Sequence, residues 1–270
     1  MSVVQAVVLG IVQGLTEFLP ISSDGHLALV YRAFGNTPDL TYEVLLHGAT
    51  LLALLVYFRR DLMDLLGSLL PANKERTADR RIVLLIAVGT VVSAFIALGL
   101  SGVVEPLSAS LTWVGIFFLA TSALMALAEV LYGRVAKVDE PSRLSLVKTG
   151  FIGVLQGLAV LPGLSRSGST ISAGVMSGLE RDEAARFSFL LGIPIISLAF
   201  GKDLLELAQD GFALPDPLAS VIGFAAAGVT GYLAIWWLLP FLKRHRLWWF
   251  VGYTAILGSV VLALGVTGRG

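Results

Sequence analysis

Long apolar runs alternate with short polar clusters from one end of this chain to the other, and the lengths of the runs set the first expectation. Six of them read as helices that cross a hydrocarbon core of about 30 Å: residues 42–57, the shortest, then 82–100, 111–132, 187–205, 218–239 and 247–266. Two other runs are broken in the middle. Residues 3–15 stop before Pro20 and restart near Gly25 to reach Phe34, and residues 151–161 and 169–179 flank the stretch Pro162-Gly-Leu-Ser-Arg-Ser-Gly-Ser-Thr170. Each arm is too short to cross, so each pair predicts a re-entrant helical hairpin. A short turn with Gly102 and Pro106 is expected between the second and third crossings, and the charged residues 180–186 are expected to precede the fourth. The fold class is therefore all-α and polytopic, six transmembrane helices plus two re-entrant hairpins.

Composition supports a membrane protein and removes several chemistries. Apolar residues make up 56% of the 270, charged residues 14%, and the mean hydropathy is +0.84. No soluble domain of useful size is left over, and with a net charge of zero no nucleic-acid partner is expected. The absence of cysteine excludes disulfides, thiolate metal sites and cysteine nucleophiles, and three histidines in separate segments make a structural zinc site a poor expectation. The first 15 residues lack a basic n-region and run into polar, chemistry-bearing positions, so they read as mature protein rather than as a cleaved leader.

Charge orders the crossings. Fifteen of the 19 lysines and arginines fall in four clusters: Arg59 to Arg81, which includes Lys74, then Arg134 to Lys148, Arg181 with Arg186, and Lys243 to Arg246. Six crossings put all four on one side, which the positive-inside rule makes the cytoplasm. Three crossings separate the two hairpins, so the first enters from outside and the second from inside. An offset of 143 residues aligns Gly10, Gln13, Gly14, Leu15, Ser22 and Gly25 with Gly153, Gln156, Gly157, Leu158, Ser165 and Gly168. The expectation is a single membrane domain built from an inverted repeat, residues 1–132 against 148–267, with broken helices meeting near mid-depth.

The breaks carry the candidate chemistry. A lone arginine at a helix centre costs roughly 2.5–3.5 kcal/mol on insertion scales, so Arg166 needs a counter-charge, a wet cavity or an anion. Around it Ser165, Ser167, Ser169 and Thr170 offer hydroxyls, and the loop glycines let backbone N–H groups approach a phosphate. In the first break Gln13 and Glu17 share a helical face, and Ser22, Ser23 and His26 lie at the next helical start. That gathers a carboxylate for a base or a cation, hydroxyls and an imidazole. The plainer alternatives are that Glu17 and Arg166 form an ion pair that only joins the hairpins, and that single serines hold helices together. Glu43 is open between roles, Glu129 reads as structural, Asp24 and His47 have no assigned task, and the tryptophans and Tyr253 read as interfacial anchors.

Gln13-Gly-Leu-Thr-Glu17-Phe-Leu-Pro-Ile-Ser-Ser-x-Gly-His26 and Pro162-Gly-x-Ser-Arg-Ser-Gly-x-Thr170 resemble the two signature motifs of the undecaprenyl-pyrophosphate phosphatase, or bacitracin-resistance, family. The resemblance extends over the whole chain in motif order and hydrophobic layout. It implies a membrane phosphatase that takes the terminal phosphate from a polyprenyl pyrophosphate and so recycles the lipid carrier of cell-envelope glycan synthesis. It also implies dependence on a divalent cation, Mg²⁺ or Ca²⁺, a homodimer, and a site in the cytoplasmic membrane reached from its outer face. By motif position it implies that Glu17, Ser23, His26 and Arg166 are catalytic. Gln13, Ser22, Ser165, Ser167 and Thr170 would then bind phosphate with Arg166, and Glu17 would be the metal ligand. Gln13 stands where many members have a second glutamate, and Asp24 where threonine is frequent. Whether Ser23 or His26 attacks is left open, and a transporter or flippase for a lipid phosphate or organic anion is the alternative function.

Overall fold

The computed structural model describes residues 1–70, 75–210 and 216–268; Lys74 and Arg269 lie outside them. Eleven α-helices follow one another among the described residues, with one short 3-10 turn and no strand. They are α1 Val3–Phe18, α2 Ser23–Ala33, α3 Leu40–Tyr57, α4 Arg59–Ser68, α5 Thr77–Ser108, α6 Leu111–Leu131, α7 Leu146–Leu158, α8 Arg166–Met176, α9 Arg181–Asp210, α10 Pro217–Arg244 and α11 Trp248–Val266. Six of these, α3, α5, α6, α9, α10 and α11, are long and apolar enough to cross a membrane. The chain is thus a multi-pass membrane protein.

Local chemistry starts and stops the short helices. At α1 the Ser2 hydroxyl accepts from Gln5 N at 3.2 Å while Gln5 Oε1 accepts from Ser2 N at 2.9 Å, a reciprocal cap. Pro20 holds Leu19 extended (ψ 143°) and ends that helix. The arms α1, α2, α7 and α8 hold 16, 11, 13 and 11 residues, about 16–24 Å of helix and short of a bilayer core. α1 packs on α2, and α7 on α8.

Three expected boundaries move. Gly102 and Pro106 lie inside α5, which runs for 32 residues, rather than in a turn. Proline costs its own N–H bond to the residue four earlier, here Gly102, and only part of a turn of helix remains to follow. The charged residues 181–186 open α9 instead of preceding it, because Asp182 and Glu183 suit a helix N-terminus and both arginines find carboxylates. The second arm of the later hairpin starts at Arg166, three residues early, since Ser165 caps it by accepting from Gly168 N at 3.0 Å. In addition, the polar stretch after Arg59 holds a helix of its own, α4.

The basic clusters meet at one end of the bundle. Arg186 pairs with Asp61, Lys137 with Glu180 at 2.9 Å, and Arg81 donates to the Leu144 carbonyl at 3.3 Å. The Tyr132 hydroxyl, then Lys137, hold Glu180 below the ordinary carboxylate range, so this contact is intact at neutral pH and is lost as the carboxylate protonates in acid. Deeper in, Arg181 grips Glu129 with two hydrogen bonds of 2.7 Å, and Glu129 also accepts from Leu247 N at 2.8 Å. Glu129→Ala leaves that guanidinium without its partner and is expected to cost about 3–5 kcal/mol. A thermal melt in detergent should show a large drop in midpoint; an unchanged midpoint would mean the pair is idle.

The two hairpins pack in an exchanged manner, α1 against α10 and α7 against α5. A Cβ at Gly14 would run into the backbone of Ala227 and Gly231 on α10, and one at Gly157, 143 positions later, into the Ser93 carbonyl on α5. Close approach, rather than backbone freedom, is what these two glycines provide. Outward, α5 and α11 expose Val91, Phe95, Leu98, Trp249, Ile256 and Val260, an apolar surface fit for lipid.

Candidate active site

The site forms where the two broken hairpins touch. Arg166, the first residue of α8, donates through Nη2 to Glu17 Oε1 at 2.7 Å, joining residues 149 apart in the chain. One position on, the Ser167 hydroxyl donates to the Leu19 carbonyl at 2.9 Å, a second tie between the hairpins. Glu17 sits in the last turn of α1, buried, and its other oxygen is engaged as well. Oε2 accepts from the Ser23 hydroxyl at 2.7 Å and from Gln13 Nε2 at 3.1 Å. The result is a chain of contacts running guanidinium, carboxylate, hydroxyl.

This chain opens on a cavity of about 130 Å³ lined by Thr16, Glu17, Ser22, Ser23, Asp24, His47, Ala159, Leu164, Ser165 and Arg166. Two helix N-termini, those of α2 and α8, are set at its wall, and the partial positive charge of such ends favours an anion. Ser22 is the only non-glycine residue with positive φ among the described residues, at 71°. A left-handed serine costs about 1–3 kcal/mol, a strain that positions the α2 start beside Glu17. The buried Arg166 Nη1 has no hydrogen-bond partner and stands beside Gly192 of α9, away from the cavity.

The candidates divide on inspection. Glu17, Ser22, Ser23, Ser165 and Arg166 line the cavity; Gln13, Ser167, Thr170 and His26 do not. Gln13 is fully buried and steadies Glu17. Thr170 donates to the Arg166 carbonyl at 2.8 Å and meets the Ser188 hydroxyl, so it braces α8 on α9. His26 turns toward α6 and α11. Its Nδ1 lies 2.6 Å from the Ser22 carbonyl and its Nε2 2.6 Å from the Tyr253 hydroxyl, with the two rings stacked at 5.7 Å and Phe118 edge-on. A carbonyl only accepts, so Nδ1 carries the proton, and the neutral ring takes the Tyr253 O–H at Nε2. Tyr253 is thus a partner of His26 and not merely an interfacial anchor.

Two lining side chains had no role in the sequence reading. His47 projects from α3 and Asp24 from α2, with Nε2 and Oδ1 at 3.8 Å. The available signal was partial: Asp24 stands beside Ser23 in the polar break, and His47 is a lone imidazole among apolar neighbours in a different segment. Their meeting is a tertiary fact that no local spacing encodes.

Fold and site together define a polytopic membrane protein with a polar cavity between its helices, walled by an arginine and an acid-linked serine. The chain belongs to the bacitracin resistance protein BacA family, whose model matches residues 6–260. It is similar to an undecaprenyl-diphosphatase of Desulfosudis oleivorans, 43% identical over 98% of this chain and 100% of the relative. Undecaprenyl-diphosphatases of Carboxydothermus hydrogenoformans and Rubrobacter xylanophilus are each 39% identical over 98% of both chains.

Proposed function

We propose that this cavity takes the pyrophosphate of undecaprenyl pyrophosphate and that the protein is a phosphatase releasing the monophosphate and inorganic phosphate. The observation that carries the reading is the Arg166–Glu17–Ser23 chain on the cavity wall, together with the family to which the chain belongs. Glu17 Oε2 draws the proton from the Ser23 hydroxyl, whose oxygen attacks the terminal phosphorus. The bond to the bridging oxygen breaks, the lipid monophosphate leaves, and water then frees the phosphate from Ser23. Arg166, which lines the cavity, donates to the phosphoryl oxygens, and the α2 and α8 termini stabilise the charge that builds there. Ser23 is preferred to His26 as attacking group because both ring nitrogens of His26 are already engaged. In this reading His26 and Tyr253 hold the Ser22–Ser23 turn in place.

The reading includes a divalent cation. Among the described residues no group of three His, Asp or Glu side chains forms a site by itself. Glu17, a carboxylate on the cavity wall, is the ligand that the reading gives the ion, while Gln13 Oε1 is buried beside it and off the cavity. Glu17 would hold it, and when bound it would neutralise phosphoryl charge.

Placement in the membrane is part of the same reading. The exchanged packing of α1 and α7 supports the inverted repeat, and the short arms support re-entrant insertion. The basic clusters gather at the end of α3 next to Arg59, whereas His47 lies nearer the Leu40 end, about 10 Å in. These features favour a cytoplasmic-membrane protein with its cavity open to the outer side; the family likeness adds a homodimer.

Purified protein in detergent with farnesyl or undecaprenyl pyrophosphate and Mg²⁺ or Ca²⁺ is expected to release phosphate, and chelation with EDTA to suppress it. Substrate flux across proteoliposomes without any phosphate release would point to a transporter and overturn the reading.

A further inference from the structure

The steps above leave one side of the cavity unused. His47 stands there, and its geometry fixes what it can offer. Nδ1 lies 2.9 Å from the Glu43 carbonyl of the preceding turn, so that nitrogen carries a proton. Nε2 faces Asp24 Oδ1 at 3.8 Å across the cavity wall. A ring protonated at both nitrogens would keep the hydrogen bond to the carbonyl and stand as the ion-pair partner of Asp24. The side chain is 31% exposed, enough to meet a ligand, while that of Asp24 is 56% exposed and free to turn toward water.

The cavity therefore has two cationic walls, the Arg166 guanidinium beside Ser23 and His47 on α3. A phosphate bound for attack by Ser23 occupies the first. The second has no function in a monophosphate site, yet a diphosphate has a second phosphate to place.

Building on the phosphatase reading, we propose that His47 donates from Nε2 to the lipid-linked phosphate and is the residue by which the site tells a diphosphate from inorganic phosphate. Asp24 is the positioning residue: in the free protein it holds His47 charged and oriented, and it yields its place when the diphosphate arrives. The other charged groups that act on His47 are Glu17 of α1, Glu43 of its own helix and Asp203 of α9, with Arg166 of α8 across the cavity. The carboxylates among them support the cation, and Arg166 opposes it.

The test compares wild type, His47→Leu and His47→Gln in detergent, with melting midpoints to confirm that each is folded. His47→Leu is expected to raise KM for farnesyl pyrophosphate about 10- to 100-fold, the loss of one charge-assisted hydrogen bond, with kcat changed less than about threefold. Inhibition by inorganic pyrophosphate should weaken by the same factor, as should inhibition by farnesyl monophosphate, which keeps the lipid-linked phosphate, whereas inhibition by inorganic phosphate, which needs only the Arg166 side, should not move. His47→Gln, whose amide N–H also donates, should recover most of the loss; a merely structural role would not give this pattern. An unchanged KM in His47→Leu, or equal weakening toward inorganic phosphate and diphosphate, overturns the proposal. Diphosphate binding measured at equilibrium in Ser23→Ala protein keeps the two readings apart. If that protein binds diphosphate and His47→Leu added to it makes no difference, the His47 assignment alone fails; if the wild type releases no phosphate, the phosphatase reading fails.

Discussion

Arg166→Ala is expected to lower phosphate release by about three orders of magnitude or more. Loss of a single preorganised donor to a developing oxyanion costs on the order of 10²–10³ in rate, and this guanidinium has a second task, neutralising Glu17 at 2.7 Å. Without it a buried carboxylate is stranded, so the melting midpoint should fall along with activity. Arg166→Lys keeps a positive charge but loses the fork that lets one nitrogen hold Glu17 while another meets phosphate, and should recover stability before it recovers rate. The rival view, that the pair only fastens the hairpins, makes a different prediction for the double change Glu17→Leu with Arg166→Leu. Apolar replacement of a buried pair is often neutral for stability. If the doubly substituted protein is stable and still hydrolyses substrate at more than about a tenth of the wild-type rate, the catalytic account is wrong.

Ser23→Ala should reduce kcat by on the order of 10³ while KM for the pyrophosphate stays within a few-fold, because the hydroxyl acts on the transition state and the charged walls do the binding. His26→Ala should be milder, about tenfold, since the imidazole touches the Ser22 carbonyl and Tyr253 rather than the cavity. Steady-state kinetics on the two variants checks both values. The reverse order, with Ser23→Ala active and His26→Ala dead, would move the nucleophile to the imidazole and require that ring to leave Tyr253.

Much of the fold was written in the one-dimensional pattern, because a bilayer demands long apolar helices and tolerates few exceptions. All six crossings come from such runs, and the breaks at Pro20 and Gly163 stand out as polar interruptions within apolar sequence. Helix ends were less legible. Pro106 looked like a stop, yet a proline this close to a C-terminus removes little, and Arg181 looked like a loop residue until Glu129 was seen to hold it. Within the site, the spacing of Gln13 and Glu17 already put both on one face, a local fact. The orientation of His26 was not local: it depends on Tyr253, 227 positions away. Thr170 and Ser167 were read as ligand groups by their company, whereas backbone carbonyls claim their hydroxyls first, the usual competition for such side chains in helices.

The partnership of residues 17 and 166 also has a consequence for biogenesis. The carboxylate is synthesised 149 residues ahead of the cation that neutralises it, an interval on the order of ten to thirty seconds at ordinary elongation rates. For that time the nascent chain holds an acid without its arginine, and a poorly compensated charge in lipid is costly. The first hairpin must therefore wait protonated, or linger at the membrane surface, and its final descent is coupled to the arrival of the second half from the ribosome.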